Sequence, residues 1–71
     1  MVTWRASFQG GNITIHHFQY LMVGRGIECQ LLLEKEEFSL LELTARNESS
    51  ISEAIDRAKQ HGFTVEVLGQ E

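Results

Sequence analysis

Three histidines are the residues of this sequence best suited to hold a metal ion. His16 and His17 are adjacent, and His61 lies far along the chain. Imidazole nitrogens bind zinc and copper, but the pattern around residues 12–20 predicts a strand, where adjacent side chains point to opposite faces. Separated ligands of this kind make a weak motif. We therefore predict no metal and no cofactor; if zinc binds, His16 or His17 with His61 and a carboxylate are its expected ligands.

Cys29 is the one residue that could act as a thiol nucleophile. It falls in the alternating apolar run Ile27, Cys29, Leu31, Leu33, which is predicted to form one face of a strand, and a lone cysteine there usually behaves as a small core residue. A thiol in apolar surroundings has a raised pKa and reacts slowly. We predict a structural role for Cys29.

The segment Gly24-Arg25-Gly26 could cradle an anion, because glycines allow close backbone approach and arginine binds phosphate with two N–H groups. It matches neither a phosphate-loop nor a dinucleotide fingerprint. A turn between two strands explains the same residues without a ligand.

An acidic cluster surrounds Lys35, with carboxylates at Glu34, Glu36 and Glu37. A general acid/base pair needs a partly dry cleft to raise one carboxyl pKa, whereas a charged hairpin tip is wet. No other residues form a catalytic constellation, so we predict that the protein is not an enzyme. The cluster does favour an alternative function, a small acidic inhibitor or regulator that occupies a nucleic-acid-binding protein through charge attraction.

The elements that must position these residues follow from hydrophobic spacing. Residues 2–8 alternate apolar and polar side chains, as a half-buried strand does. Gly10 and Gly11 suit a tight hairpin turn, and the alternation of Ile13 and Ile15 predicts a second strand from Asn12 to about Tyr20. Residues 18–23 fit either a continued strand or a helix.

Two further strands are predicted over residues 27–34 and 38–45, joined by the acidic cluster. Leu32 is an apolar exception on the polar face of the first. Ser50 and Glu53 have the spacing of a capping box, and apolar residues at intervals of three and four then predict an amphipathic helix ending near Gly62. A last strand begins at residue 63, and Leu68 interrupts its polar face.

Together these elements predict one small α+β domain spanning residues 1–71. Its order is β-β-β-β-α-β, with a mostly antiparallel sheet and one amphipathic helix packed on one sheet face. The other face is then left with surplus apolar surface, which usually marks a partner site. The apolar residues predicted there are Phe18, Tyr20, Leu32, Phe38 and Leu40.

Size and charge bound the remaining choices. A chain of 71 residues with a single cysteine has a small core and no internal disulfide, so oligomerisation is the stabilising device left open. Its formal net charge of −4 makes nucleic acid an unfavourable partner. The sequence shows no secretory signal and no membrane-spanning run, which predicts a reducing cytoplasm as its location.

The leading prediction is therefore a non-enzymatic protein-interaction module that binds a protein partner, including a second copy of itself as a homodimer. The acidic inhibitor is the second hypothesis, and a metal- or small-ligand-binding domain using the histidines is the third. The sequence names neither the partner nor the pathway.

Overall fold

The computed structural model describes residues 1–70, apart from the side chains of Asn12 and Gln70. Four strands and two helices follow one another along the chain. They are β1 (Val2–Gln9), α1 (Asn12–Gly24), β2 (Glu28–Glu34), β3 (Phe38–Ala45), α2 (Glu48–Gln60) and β4 (Thr64–Gln70).

The four strands form one sheet in the order β2-β3-β1-β4, and every neighbouring pair is antiparallel. This confirms the predicted α+β class with an antiparallel sheet, and β1 and β3 are the central strands. With a helix after β1 and another after β3, the chain consists of two interleaved β-α-β units, the ferredoxin-like arrangement.

The predicted second strand is wrong, because residues 12–24 form α1. Ile15, Phe18 and Met22 are buried, and their spacing of three and four places them on one side of a helix. The predicted hairpin at Gly10 and Gly11 is wrong as well. Gly10 has a φ of 151°, and Gly11 is the N-cap residue that precedes α1.

The start of α2 also differs from the prediction. Asn47 caps the helix, and its side-chain oxygen accepts from the Ser50 backbone N–H at 2.9 Å and from the Ser50 hydroxyl at 3.0 Å. The asparagine satisfies an orphan amide of the first turn, so α2 begins three residues earlier than a Ser50 cap implies. Its end is as predicted, since Gly62 follows with a φ of 94°.

Both helices cover the same face of the sheet, where the prediction had only one. Their buried side chains join alternate residues of the strands in a single core. Three phenylalanine rings, from β1, α1 and the residue before β4, meet within it. The ring centres of Phe8 and Phe18 are 5.0 Å apart, and Phe63 lies 5.7 Å from Phe8 and 5.9 Å from Phe18.

Neither helix combines the length and the apolar run that crossing a bilayer requires, and residues 1–70 contain no other helix.

Candidate interaction surface

The face of the sheet away from the helices, here called the open face, carries no secondary-structure element among the described residues. Alternation decides which side chains it displays. In β3, Leu41 and Leu43 point to the helices and are buried, whereas Phe38, Leu40 and Glu42 point to the open face. The β3 phasing predicted from sequence is confirmed.

Irregularities in the two edge strands add leucines to the open face. In β2 the register shifts between Leu31 and Leu33, so Leu32 is an extra residue opposite β3. In β4 the shift falls opposite Arg5 and Ala6, which makes Leu68 the extra residue. A β-bulge of this kind redirects side chains and bends the edge strand.

The displaced leucines surround a hollow in the open face. Its volume is about 390 Å³, and Leu32, Leu40 and Leu68 line it together with Arg5. Leu68 also borders a neighbouring hollow that includes Phe38. The side chain of Leu68 is 56% exposed and that of Leu32 is 45% exposed. The strands therefore bring apolar side chains from both edges to one surface.

The apolar residues occupy the end of the open face nearest the β2–β3 hairpin, and we call them the leucine patch. Its members are Leu32, Leu33, Phe38, Leu40 and Leu68.

The other end of the open face is polar. The Arg5 guanidinium lies 3.9 Å from the Glu42 carboxylate, and the hydroxyls of Thr3 and Thr44 are hydrogen-bonded at 3.1 Å. Because both ionic groups are partly exposed, this ion pair contributes little to stability. The open face thus combines the leucine patch with a polar, hydrogen-bonded end.

The five apolar residues predicted to bind a partner lie in three different places. Leu32, Phe38 and Leu40 do lie together on the open face. Placing Phe18 there was wrong, because its side chain is fully buried in the core. Tyr20 is exposed, but on α1 and on the opposite side of the molecule. Both errors follow from assigning the α1 segment to a strand.

Leu33 and Leu68 were missed. Leu33 was placed on the core face, since regular alternation from Cys29 puts it there, and the bulge at Leu32 reverses that assignment. For Leu68 a signal existed, because it interrupts the polar face of its strand. In each edge strand the bulge lies at the apolar residue that interrupts the polar face, Leu32 in β2 and Leu68 in β4.

The acidic cluster forms the turn between β2 and β3, at the edge of the leucine patch. Glu34, Glu36 and Glu37 are all exposed. The Lys35 backbone N–H donates to the Phe38 carbonyl at 2.8 Å, which closes the hairpin. Exposed carboxylates in water lack the dry surroundings that general acid/base chemistry needs.

Two of the histidines line the same hollow although they lie far apart in sequence. His17 and His61 line a hollow of about 420 Å³ with Thr14 and Phe63, and the His17 ring packs edge-on to Phe63 at 5.6 Å. His16 projects from another side of α1. Within residues 1–70, no three histidine, cysteine, aspartate or glutamate side chains lie close enough together to hold a metal ion.

Cys29 is half-buried in β2, and burial raises the pKa of its thiol from 9.0 to about 11. Such a thiol is almost entirely protonated at neutral pH, so it is a poor nucleophile. The Gln19 side-chain amide donates to the Cys29 carbonyl at 2.9 Å and ties α1 to the edge strand.

The Gly24-Arg25-Gly26 segment ends α1, so it is a turn but not one between strands. The backbone N–H groups of Arg25 and Ile27 donate to Met22, and that of Gly26 donates to Val23, each at 3.0 Å. Because these amides are used to end the helix, they cannot form an anion cradle.

The chain matches no protein-family model and no curated protein.

Proposed function

We propose that this protein is a non-enzymatic interaction module that forms a homodimer through the open face of its sheet. The observation that supports this is the leucine patch, an apolar surface assembled from three strands on a face that no element of the described chain covers. Apolar patches of a few hundred Å² on a protein surface often mark a binding site.

Two open faces can pack as a sheet-on-sheet pair, with the two sheets about 10 Å apart. A two-fold axis would bring the leucine patch of one copy onto that of the other, because such an interface uses the same residues on both sides. Leu68 and Leu32 are the more exposed patch members from the two edge strands. Their burial would supply most of the favourable free energy of dimerisation.

The size of the face sets the expected strength. Four strands about 4.8 Å apart and seven residues long give a face of roughly 19 by 23 Å, or ~440 Å² in projection. Side-chain relief increases that area, but it stays near the lower limit of about 600 Å² per partner for stable complexes. We therefore expect a dissociation constant on the order of micromolar.

Light scattering behind a sizing column tests the proposal directly. The wild-type protein should pass from 8.1 kDa to twice that mass as its concentration increases. Leu68→Glu should stay monomeric, because the two-fold axis would bring two added carboxylates into one interface and remove two leucines from it. Tyr20→Glu is the matched control, since it adds the same charge at an exposed site on the opposite layer, and it should dimerise normally. A wild-type monomer at about 500 µM, well above a micromolar dissociation constant, refutes the proposal.

The acidic inhibitor is the second candidate, and one observation favours it: three exposed glutamates stand on a single turn beside the leucine patch. Salt separates the two functions. Homodimers of a chain with net charge −4 should strengthen with added salt, whereas acidic capture of a basic protein should weaken. Charge reversal at Glu34, Glu36 and Glu37 should abolish the capture of a basic protein and leave the homodimer intact. For either function we propose a cytoplasmic location, which the presence of a single cysteine favours.

A further inference from the structure

The outer surface of α1 is a second apolar surface, on the opposite side of the molecule from the open face. Ile13, Tyr20 and Val23 are 88%, 78% and 61% exposed, and His16 is exposed between them. We call these four residues the α1 stripe. They lie across the helix from Ile15, Phe18 and Met22, which bury the inner side of α1 in the core.

The spacing of the stripe indicates what kind of element covers it. Its members are separated by three, four and three residues, which is the a/d repeat that one helix presents to another. α1 is apolar on two sides, which are separated by the more polar positions Thr14, His17 and Gln19. An apolar side of a helix is normally buried; the inner side of α1 is buried in the core, whereas Ile13, Tyr20 and Val23 on the second side are exposed.

The two helices differ in their content of charged residues. α1 contains no lysine, arginine, aspartate or glutamate. In α2 the exposed positions include Glu53, Asp56, Arg57 and Lys59, as expected for a helix with a solvated side. The α1 stripe is thus an uncharged surface on a chain whose net charge is −4.

We propose that the α1 stripe binds an amphipathic helix of a different protein, with an apolar a/d seam and lysine or arginine on its flanks. The stripe spacing supplies the helical geometry. Glu36 lines a hollow with Ile13 at the first turn of α1, and this carboxylate, on a chain with a net charge of −4, favours basic flanks. The stripe spans the eleven residues 13–23, whose ten helical steps measure about 15 Å, so a partner helix of about three turns covers it.

A second copy of this chain is a poor occupant, and this step rests on the proposed homodimer. Two self-pairing surfaces on opposite sides of one flat molecule have two-fold axes that do not meet. Their combination builds an open stack of copies rather than a closed oligomer. A closed homodimer at the sheet faces therefore leaves the α1 stripe for a different chain.

A designed peptide tests the binding chemistry. The probe has about 18 residues, ~27 Å as a helix, with leucine at a and d, lysine at e and g, and alanine and glutamine elsewhere. Its control is a scrambled peptide of the same composition. Titration into ¹⁵N-labelled full-length protein should shift the amide resonances of residues 13–23 and saturate below about 1 mM, whereas the scrambled peptide should produce no saturating shifts.

Variants make the assignment specific. Tyr20→Ser should weaken peptide binding about tenfold or more; serine is used because a glutamate would attract the lysines and mask the loss. Leu68→Glu should bind the peptide like the wild type while failing to dimerise. Peptide binding that Tyr20→Ser weakens and Leu68→Glu leaves unchanged supports the α1 stripe whether or not the wild-type protein dimerises. The two proposals can therefore fail separately.

Three results overturn the inference. They are no saturation at about 1 mM, equal binding of the scrambled peptide, and resonance shifts confined to the open face. A fourth concerns the occupant: if the wild-type protein forms species larger than a dimer that Tyr20→Ser reduces to dimers, a second copy occupies the stripe.

Discussion

Replacing Phe18 by leucine tests the assignment of residues 12–24 to a helix, where sequence pattern and structure disagree. As a helix, this segment buries Phe18 between Phe8 and Phe63, with ring centres 5.0 and 5.9 Å away. As a strand of the predicted hairpin, it would place Phe18 and Tyr20 side by side on the open face. In the helix, Phe18 is buried and Tyr20 is exposed, so only Phe18 should contribute much to stability. In the strand, both residues would have the same exposure and a similar effect on stability.

The expected loss follows from the aromatic contacts. Each aromatic pair contributes about 0.5–1.5 kcal/mol beyond buried area, so Phe18→Leu should cost roughly 1–3 kcal/mol. A chain of 71 residues is stable by about 4–11 kcal/mol at 0.05–0.15 kcal/mol per residue. Leucine is therefore preferable to alanine, whose cost of about 3–5 kcal/mol could unfold the protein outright.

Urea denaturation followed by circular dichroism measures this loss. With an m value of about 1 kcal/mol/M for a small domain, the midpoint should fall by roughly 1–3 M. Tyr20→Leu is the matched control on the same helix and should change stability by less than about 0.5 kcal/mol. Both proteins must be compared at one concentration, because dimerisation adds stability. Equal losses at the two positions, or a larger loss at Tyr20, would refute the assigned burial.

Two further outcomes are expected. Ser39 is 1% exposed, and its hydroxyl has no hydrogen-bond partner among the described residues. Ser39→Ala should therefore raise the melting temperature, by about 4–8 °C for each kcal/mol of desolvation penalty that is removed. Ser7→Ala is the control, and a lower melting temperature for Ser39→Ala contradicts this prediction. Because burial raises the pKa of Cys29 to about 11, alkylation by iodoacetamide should still accelerate above pH 10, and a rate plateau near pH 9 would count against that pKa. The same shift stabilises the fold fully below pH 9, and this stabilisation should be lost as the pH rises towards 11.

The sheet could be predicted largely because its strands repeat a pattern of two. In β3, the alternation of Leu41, Leu43 and Ala45 with more polar residues has one regular solution, and the structure adopts it. The antiparallel α+β class followed from such strands and from the stripe of α2. In these segments one side of each element is wet, so the sequence marks which side is buried.

The α1 segment fails for the opposite reason. Ile13 and Ile15 fit a strand, while Ile15, Phe18 and Met22 fit a helix. Both patterns are present because the outer side of α1 is apolar too, which removes the polar positions that distinguish the two periods. The feature that concealed the helix is the same feature that suggests a partner for it.

The leucine patch was partly predictable for a related reason. Leu32 and Leu68 each interrupted a regular strand pattern, but alternation alone does not show where the extra residue of a bulge enters. That position depends on pairing with β3 and β1, which are distant in sequence.

The central position of β1 has a consequence for how the protein is made. Its two neighbours in the sheet begin at Phe38 and Thr64, whereas β1 ends at Gln9. At 5–20 residues per second, a ribosome needs roughly 3–11 s to advance the 55 residues from Gln9 to Thr64. During that interval at least one edge of the central strand β1 has no partner strand, and loop closure over such distances is slow. Synthesis therefore exposes an edge of β1 and its apolar side chains to chaperones and to neighbouring chains until β4 has been made.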